Sequence, residues 1–139
     1  MTDGDSLIVL YDGDCGFCRV TLAALLKWDR AVRLAPVAIQ SVRGEQLLAE
    51  LEPEDRLASW HLIDSHGALR SGGAAVSVVF DTLPGGKPIA LLAERFHGTT
   101  ARAYDWIAVH RALLGRPLGA RARAWAGGVI TERERSSAL

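Results

Sequence analysis

The fold class expected for this chain of 139 residues is α/β: a mixed sheet of about four strands flanked by helices, with extra helices towards the C-terminus. Three observations predict it. The apolar run Leu7-Ile8-Val9-Leu10-Tyr11 reads as a short, fully buried strand. Directly behind it the apolar residues switch to helical spacing, with Phe17, Val20 and Ala24 widened into a face by Leu22, Leu25, Leu26 and Trp28. A second strand-like run then follows at residues 32–39, and two strands joined by a helix of this length imply a parallel pair with a right-handed crossover.

Taken in order, Asp12-Gly13-Asp14 supplies turn chemistry between the first strand and its helix. Trp28-Asp29-Arg30 closes that helix. Pro36 in the second strand lacks the amide a central position needs, so this strand belongs at an edge or carries a bulge. Residues 41–51 read as a helix with Val42, Leu47, Leu48 and Leu51 on its apolar face, and Pro53-Glu54-Asp55 as the solvated loop ending it. Residues 60–64 and 68–70 form a hairpin around Ser65-His66-Gly67, with His61 facing solvent. An apolar helix over 74–83 stops at Pro84-Gly85-Gly86. Helices follow over 87–96 and 100–114, then a short one from Arg116-Pro117 through Trp125, stopped by Gly127-Gly128, while residues 131–139 read as a frayed polar tail. Strand–helix–strand–helix–hairpin–helix matches a thioredoxin-like sandwich, with helices on both faces of the sheet. The expected organisation is one domain over 1–139, its core at about 6–83 and a helical extension at about 87–128.

Composition narrows the function classes. Hydrophobic content of 49% with 23% charged residues is that of a soluble globular chain. A net charge of zero gives no global field towards nucleic acid or an anionic membrane. No apolar stretch approaches the roughly 20 residues of a membrane span, and the start at residues 1–5 is acidic without a signal-like apolar run. The expectation is a cytoplasmic protein with no nucleic-acid or membrane partner. The oligomeric state is not encoded in any recognisable pattern.

Both cysteines of the chain, Cys15 and Cys18, lie three apart where strand hands over to helix. A helix's first turn has unpartnered amides and the positive end of the dipole, which favour a thiolate at Cys15. A free cysteine of pKa near 8.5 is only about 3% thiolate at neutral pH, and lowering it to about 7 gives roughly half. The spacing sets the second sulfur on the same face, within reach of a mixed disulfide on the first. Cys15 is then the attacking thiol and Cys18 the resolving one. Negative charge on Asp12 and Asp14 opposes the dipole; Asp12 suits a buried proton acceptor for Cys18, and Asp14 a helix cap. No cofactor is required, since two sulfurs carry the electrons, and the partner is a client protein disulfide or a small thiol.

Asp12-x-x-Cys15-x-x-Cys18 behind an apolar strand and Tyr11 resembles the signature of the DCC family of thiol–disulfide oxidoreductases. Residues 60–75, with Gly67 in a turn and Ser71-Gly72 before a helix, resemble that family's middle segment, and Tyr104, Trp106 and Arg111 its late aromatic-and-Arg helix. The resemblance implies a thioredoxin-like fold and dithiol activity on undefined substrates. Unlike thioredoxins proper, the chain has Leu57-Ala58-Ser59 rather than a proline before the strand facing the site. Tyr11, Gly16, Phe17, Trp60 and Trp106 are the expected groove residues.

Three other readings compete. Asp12-Gly13-Asp14 also resembles the first motif of haloacid-dehalogenase-type phosphatases, but the later Lys and acidic pair for Mg²⁺ have no clear counterpart and the cysteines go unexplained. A structural zinc site needs four ligands, and His61, His66, His97 and His110 fall in separate segments. A thioredoxin-like binding module with an inert Cys15–Cys18 disulfide is the third.

Overall fold

The computed structural model describes residues 6–138; residues 1–5, on which the signal-peptide reading rests, and Leu139 lie outside the described residues. Strand β1 (Leu7–Tyr11) is the second of four in a sheet ordered β2-β1-β3-β4, with β2 at Leu34–Ala38, β3 at His61–Ile63 and β4 at Leu69–Ser71. β1 runs parallel to β2 in the register Leu7↔Leu34 to Tyr11↔Ala38, and antiparallel to β3. β3 and β4 form the antiparallel hairpin. Pro36 therefore sits on an edge strand, where its missing amide leaves no ladder bond unmade.

The period-two geometry of β1 divides the core. Leu7, Val9 and Tyr11 face one side, packed with Leu22 and Leu26 of α1 (Gly16–Trp28) and Val79 of α4 (Gly73–Thr82). Leu10 faces the other, with Val37, Ile39 and Leu48 behind α2 (Val42–Leu47). Helices cover both faces, which is why β1 is continuously apolar rather than alternating.

Several boundaries differ from expectation for identifiable reasons. The helix expected over 41–51 is α2 alone, capped by Ser41 Oγ, which accepts from Gly44 N at 3.0 Å. Glu52-Pro53-Glu54-Asp55 is the start of a further helix, α3 (Pro53–Ala58), not a loop. Pro53 occupies the first turn, where its missing amide is harmless, and two carboxylates meet the positive helix end. α5 (Lys87–Arg95) and α6 (His97–Gly115) meet at Phe96.

The largest correction is α7, which runs Ala120–Ala138 straight through Gly127-Gly128 and the supposed frayed tail. It packs chiefly on α1, with Ala126 and Ile130 buried. Gly127 lets the guanidinium of Arg19 approach; a Cβ there would stand 2.8 Å from Arg19 Nη2. Two glycines cost a helix about 1 kcal/mol each, and tertiary packing of the rest outweighs it. Arg133 fixes the far end. Its Nη1 lies 2.7 Å from Asp29 Oδ2, and its Nη2 donates to Leu26 O at 2.9 Å, a free carbonyl at the end of α1.

His61, expected to face solvent, is 2% exposed. Nε2 lies 2.9 Å from the Arg56 carbonyl and must carry the proton, so Nδ1 accepts from Ser71 Oγ at 2.6 Å. Burial first, against the opposing pull of the Arg56 carbonyl, pushes its pKa below the ordinary 6.5. The unfolded chain takes up a proton near 6.5 while the folded chain still resists it, so stability falls as pH drops below about 6.5. Urea midpoints measured from about pH 7 to about pH 5 are expected to decline less steeply in His61→Gln than in the native chain.

Candidate functional site

The two cysteines stand where β1 delivers the chain to α1. Cys15 is itself the N-cap residue, with extended backbone (φ −96°, ψ 113°), and its Sγ accepts from Cys18 N at 3.3 Å. The expected cap, Asp14, is exposed and makes no bond to this turn; the sulfur occupies the acceptor position that a serine or aspartate oxygen usually fills. Any negative charge on Cys15 Sγ therefore meets an aimed backbone amide at the positive helix end. Both thiols are free and partly buried.

Cys18 differs electrostatically. Burial pushes its thiol up to about 12, assisted by its bond to Cys15 and the charge on Cys15; Arg111 opposes this, and Asp12 adds slightly to it. The deeper sulfur is thus a protonated thiol at neutral pH.

Asp12 is held from three directions. Its Oδ1 accepts from Asp14 N at 3.0 Å and Gln40 Nε2 at 2.7 Å, and its Oδ2 lies 3.3 Å from Arg111 Nη2. Gln40 also takes the Gly13 amide on Oε1 at 2.9 Å, so one side chain clasps the turn. Arg111 reaches furthest: Nη1 stands 3.8 Å from Cys18 Sγ, and Nη2 donates to Leu57 O at 2.7 Å, tying α6 to the segment before β3. That carbonyl belongs to the stretch that has no proline. Tyr104, also on α6, accepts from Trp60 N at 2.9 Å and stacks on the Trp60 ring at 6.0 Å. Burial raises its hydroxyl to about 12.

Two cavities meet at this wall. An apolar one of about 270 Å³ lies against Cys18, lined by Tyr11, Phe17, Leu22, Trp60 and Phe80 among others. A second, of about 300 Å³, opens on Cys15 and Gly16. Asp12, Phe17 and Arg111 line both. Of the expected groove residues, Tyr11, Gly16, Phe17 and Trp60 are thereby brought together. Trp106 is not: it is 57% exposed, stacks on His110 at 4.3 Å and lines neither cavity. The Tyr11 hydroxyl points away to Glu134 Oε1 at 3.1 Å.

Sequence reasoning missed Gln40 and undervalued Arg111. For Gln40 the signal was the parallel register, since pairing Tyr11 with Ala38 carries residue 40 alongside residue 13. For Arg111 it was the seven-residue spacing from Tyr104 on one helix face, which says nothing of what the face covers. Asp12, the nucleophile that the phosphatase reading requires, is engaged by Arg111 and Gln40. Among the described residues no three His, Cys, Asp or Glu side chains converge as a metal site.

A β2-β1-β3-β4 mixed sheet with a Cys-x-x-Cys pair capping the first helix defines a thioredoxin-like dithiol protein. More particularly, the chain belongs to the DCC1-like thiol-disulfide oxidoreductase family, whose family model matches residues 9–117. Comparison with curated proteins and with solved structures gave no match. Family membership supports a thiol–disulfide oxidoreductase function. Among the described residues no helix is long and apolar enough to cross a membrane.

Proposed function

We propose that this chain reduces or exchanges disulfides of a thiol client through Cys15 and Cys18. The observation that carries the reading is Cys15 Sγ at the N-cap, accepting the Cys18 amide at 3.3 Å and lining a cavity, with a protonated Cys18 behind it. In the first step the Cys15 thiolate attacks one sulfur of the client disulfide. The client S–S bond breaks, a Cys15–client disulfide forms, and the other client sulfur leaves as a thiolate that takes up a proton. In the second, Cys18 gives up its proton and attacks Cys15 Sγ. The client's remaining sulfur leaves, and the Cys15–Cys18 disulfide holds the two electrons' worth of oxidation.

The raised Cys18 pKa orders these steps. Two of its causes are the hydrogen bond to Cys15 and the charge on Cys15, and both fade once Cys15 is in a neutral mixed disulfide, while Arg111 stays to favour the thiolate. Burial, the largest cause, remains, so Cys18 still needs a proton acceptor to resolve the mixed disulfide. Asp12, oriented by Arg111 and Gln40, is the proton acceptor in this scheme.

Cys18→Ser tests the reading. With the resolving thiol gone, the first step proceeds and the second stops, so a covalent adduct on Cys15 accumulates. Intact mass before and after a reductant should show one client equivalent, released on reduction. A Cys18→Ser chain that accumulates no adduct from any disulfide offered overturns the proposal.

A further inference from the structure

The chain is electrically neutral overall, yet positive charge gathers around Cys15. Arg111, Arg116 and Arg123 line its cavity together with Asp12 and Asp14. An adjoining hollow of about 190 Å³ is walled by Asp14, Gly16, Arg19 and Arg123. Four guanidinium groups thus face two carboxylates, and one of those, Asp12, is already paired with Arg111. Among the described residues Arg19, Arg116 and Arg123 have no carboxylate within salt-bridge distance.

Arg123 is also positioned rather than loose. Its Nη2 donates to Gly115 O at 3.4 Å, and its Nε lies against Gly16, where a Cβ would stand 3.1 Å away. Glycine inside the Cys-x-x-Cys turn thereby admits a cation against that turn, in the cavity that Cys15 lines. Arg123 belongs to α7, beyond the residues that the family model matches.

We infer that the substrate of this site is a low-molecular-weight disulfide, or its thiol, carrying a carboxylate that Arg116 and Arg123 receive while its sulfur meets Cys15. The inference rests on the dithiol reading above and specifies its substrate class. Guanidinium groups bind carboxylates through paired N–H donors, which orients the ligand as well as attracting it. A hollow of about 300 Å³ is at the small end of small-molecule sites. A small disulfide RSSR balances the chemistry: the two chain thiols become one disulfide and RSSR becomes two RSH.

A matched series of small disulfides tests it: dithiodipropionate (anionic), bis(hydroxyethyl) disulfide (neutral) and cystamine (cationic). Each is mixed in excess with pre-reduced protein, and formation of the Cys15–Cys18 disulfide is followed by quenching with an alkylating agent and measuring mass. Because the three differ in intrinsic reactivity, the readout is the anion-to-cation rate ratio compared between protein variants. The ratio is expected to fall about tenfold in Arg116→Gln/Arg123→Gln, to fall less in Arg116→Lys/Arg123→Lys, which keeps the charge and loses the paired donors, and to shrink in the native chain at about 1 M salt. An unchanged ratio in the glutamine variant overturns the substrate assignment while leaving the dithiol reading standing. So does a loss confined to a peptide disulfide flanked by glutamates, which would assign the arginines to an acidic protein client. Failure of the native chain to be oxidised by any of the three or by the peptide disulfide would instead overturn the dithiol reading itself.

Discussion

Replacing Cys15 with serine is expected to lower disulfide turnover by about a thousandfold or more, because the group that forms the covalent intermediate is gone. Cys18 cannot take its place. Burial is the foremost cause holding its thiol near 12, and burial remains when Cys15 becomes serine, so only a trace is thiolate at neutral pH. A serine hydroxyl can still accept the Cys18 amide and cap α1, so the fold should survive. The check is turnover of a small disulfide beside an unfolding curve. Turnover within about tenfold of native in a folded Cys15→Ser chain would remove the nucleophile assignment.

Arg133→Leu is expected to destabilise the fold by about 3–5 kcal/mol, the usual cost of stripping one partner from a buried ion pair. Asp29 is 1% exposed, and its carboxylate also accepts Arg33 N at 3.1 Å and Leu34 N at 2.8 Å. Without Arg133 that charge stays buried with two amides alone, and the end of α1 loses the donor to Leu26 O. A loss of this size is a large share of the roughly 5–15 kcal/mol that holds a domain of this kind together. Urea denaturation measures it directly. A second variant, Arg133→Leu with Asp29→Asn, should recover part of the loss, because the buried charge is removed together with its partner. A loss under about 1 kcal/mol in the single variant would mean that α7 is not anchored there.

Local sequence made part of this molecule readable. Leu7-Ile8-Val9-Leu10-Tyr11 identified a buried strand, and the shift to helical spacing beyond Cys15 located both sulfurs at a strand-to-helix junction. Pro36 placed its strand at an edge, and Ser65-His66-Gly67 located the hairpin. Two readings failed because local rules competed. Pro53 suits the position after a helix end as well as the first turn of a new one. The acidic pair behind it, favoured at the positive start of a helix, is the signal for α3 that was passed over. Gly127-Gly128 reads as a stop wherever no packing is known, yet the burial of Ala126 and Ile130 against α1 carries α7 through.

The sequence by itself determined the strand-to-helix junction, the pairing of two thiols one turn apart and the apolar face that buries their helix, since each depends on residues within a few positions. Tertiary structure alone decided what surrounds them. Arg111 reaches Cys18 and Asp12 across 93 and 99 positions, Arg133 reaches Asp29 across 104, and Arg123 lies over Gly16 from a helix that local rules had cut short. Charges that far apart in the chain meet only because packing of α6 and α7 on α1 brings them there, and no periodicity in the sequence encodes that approach.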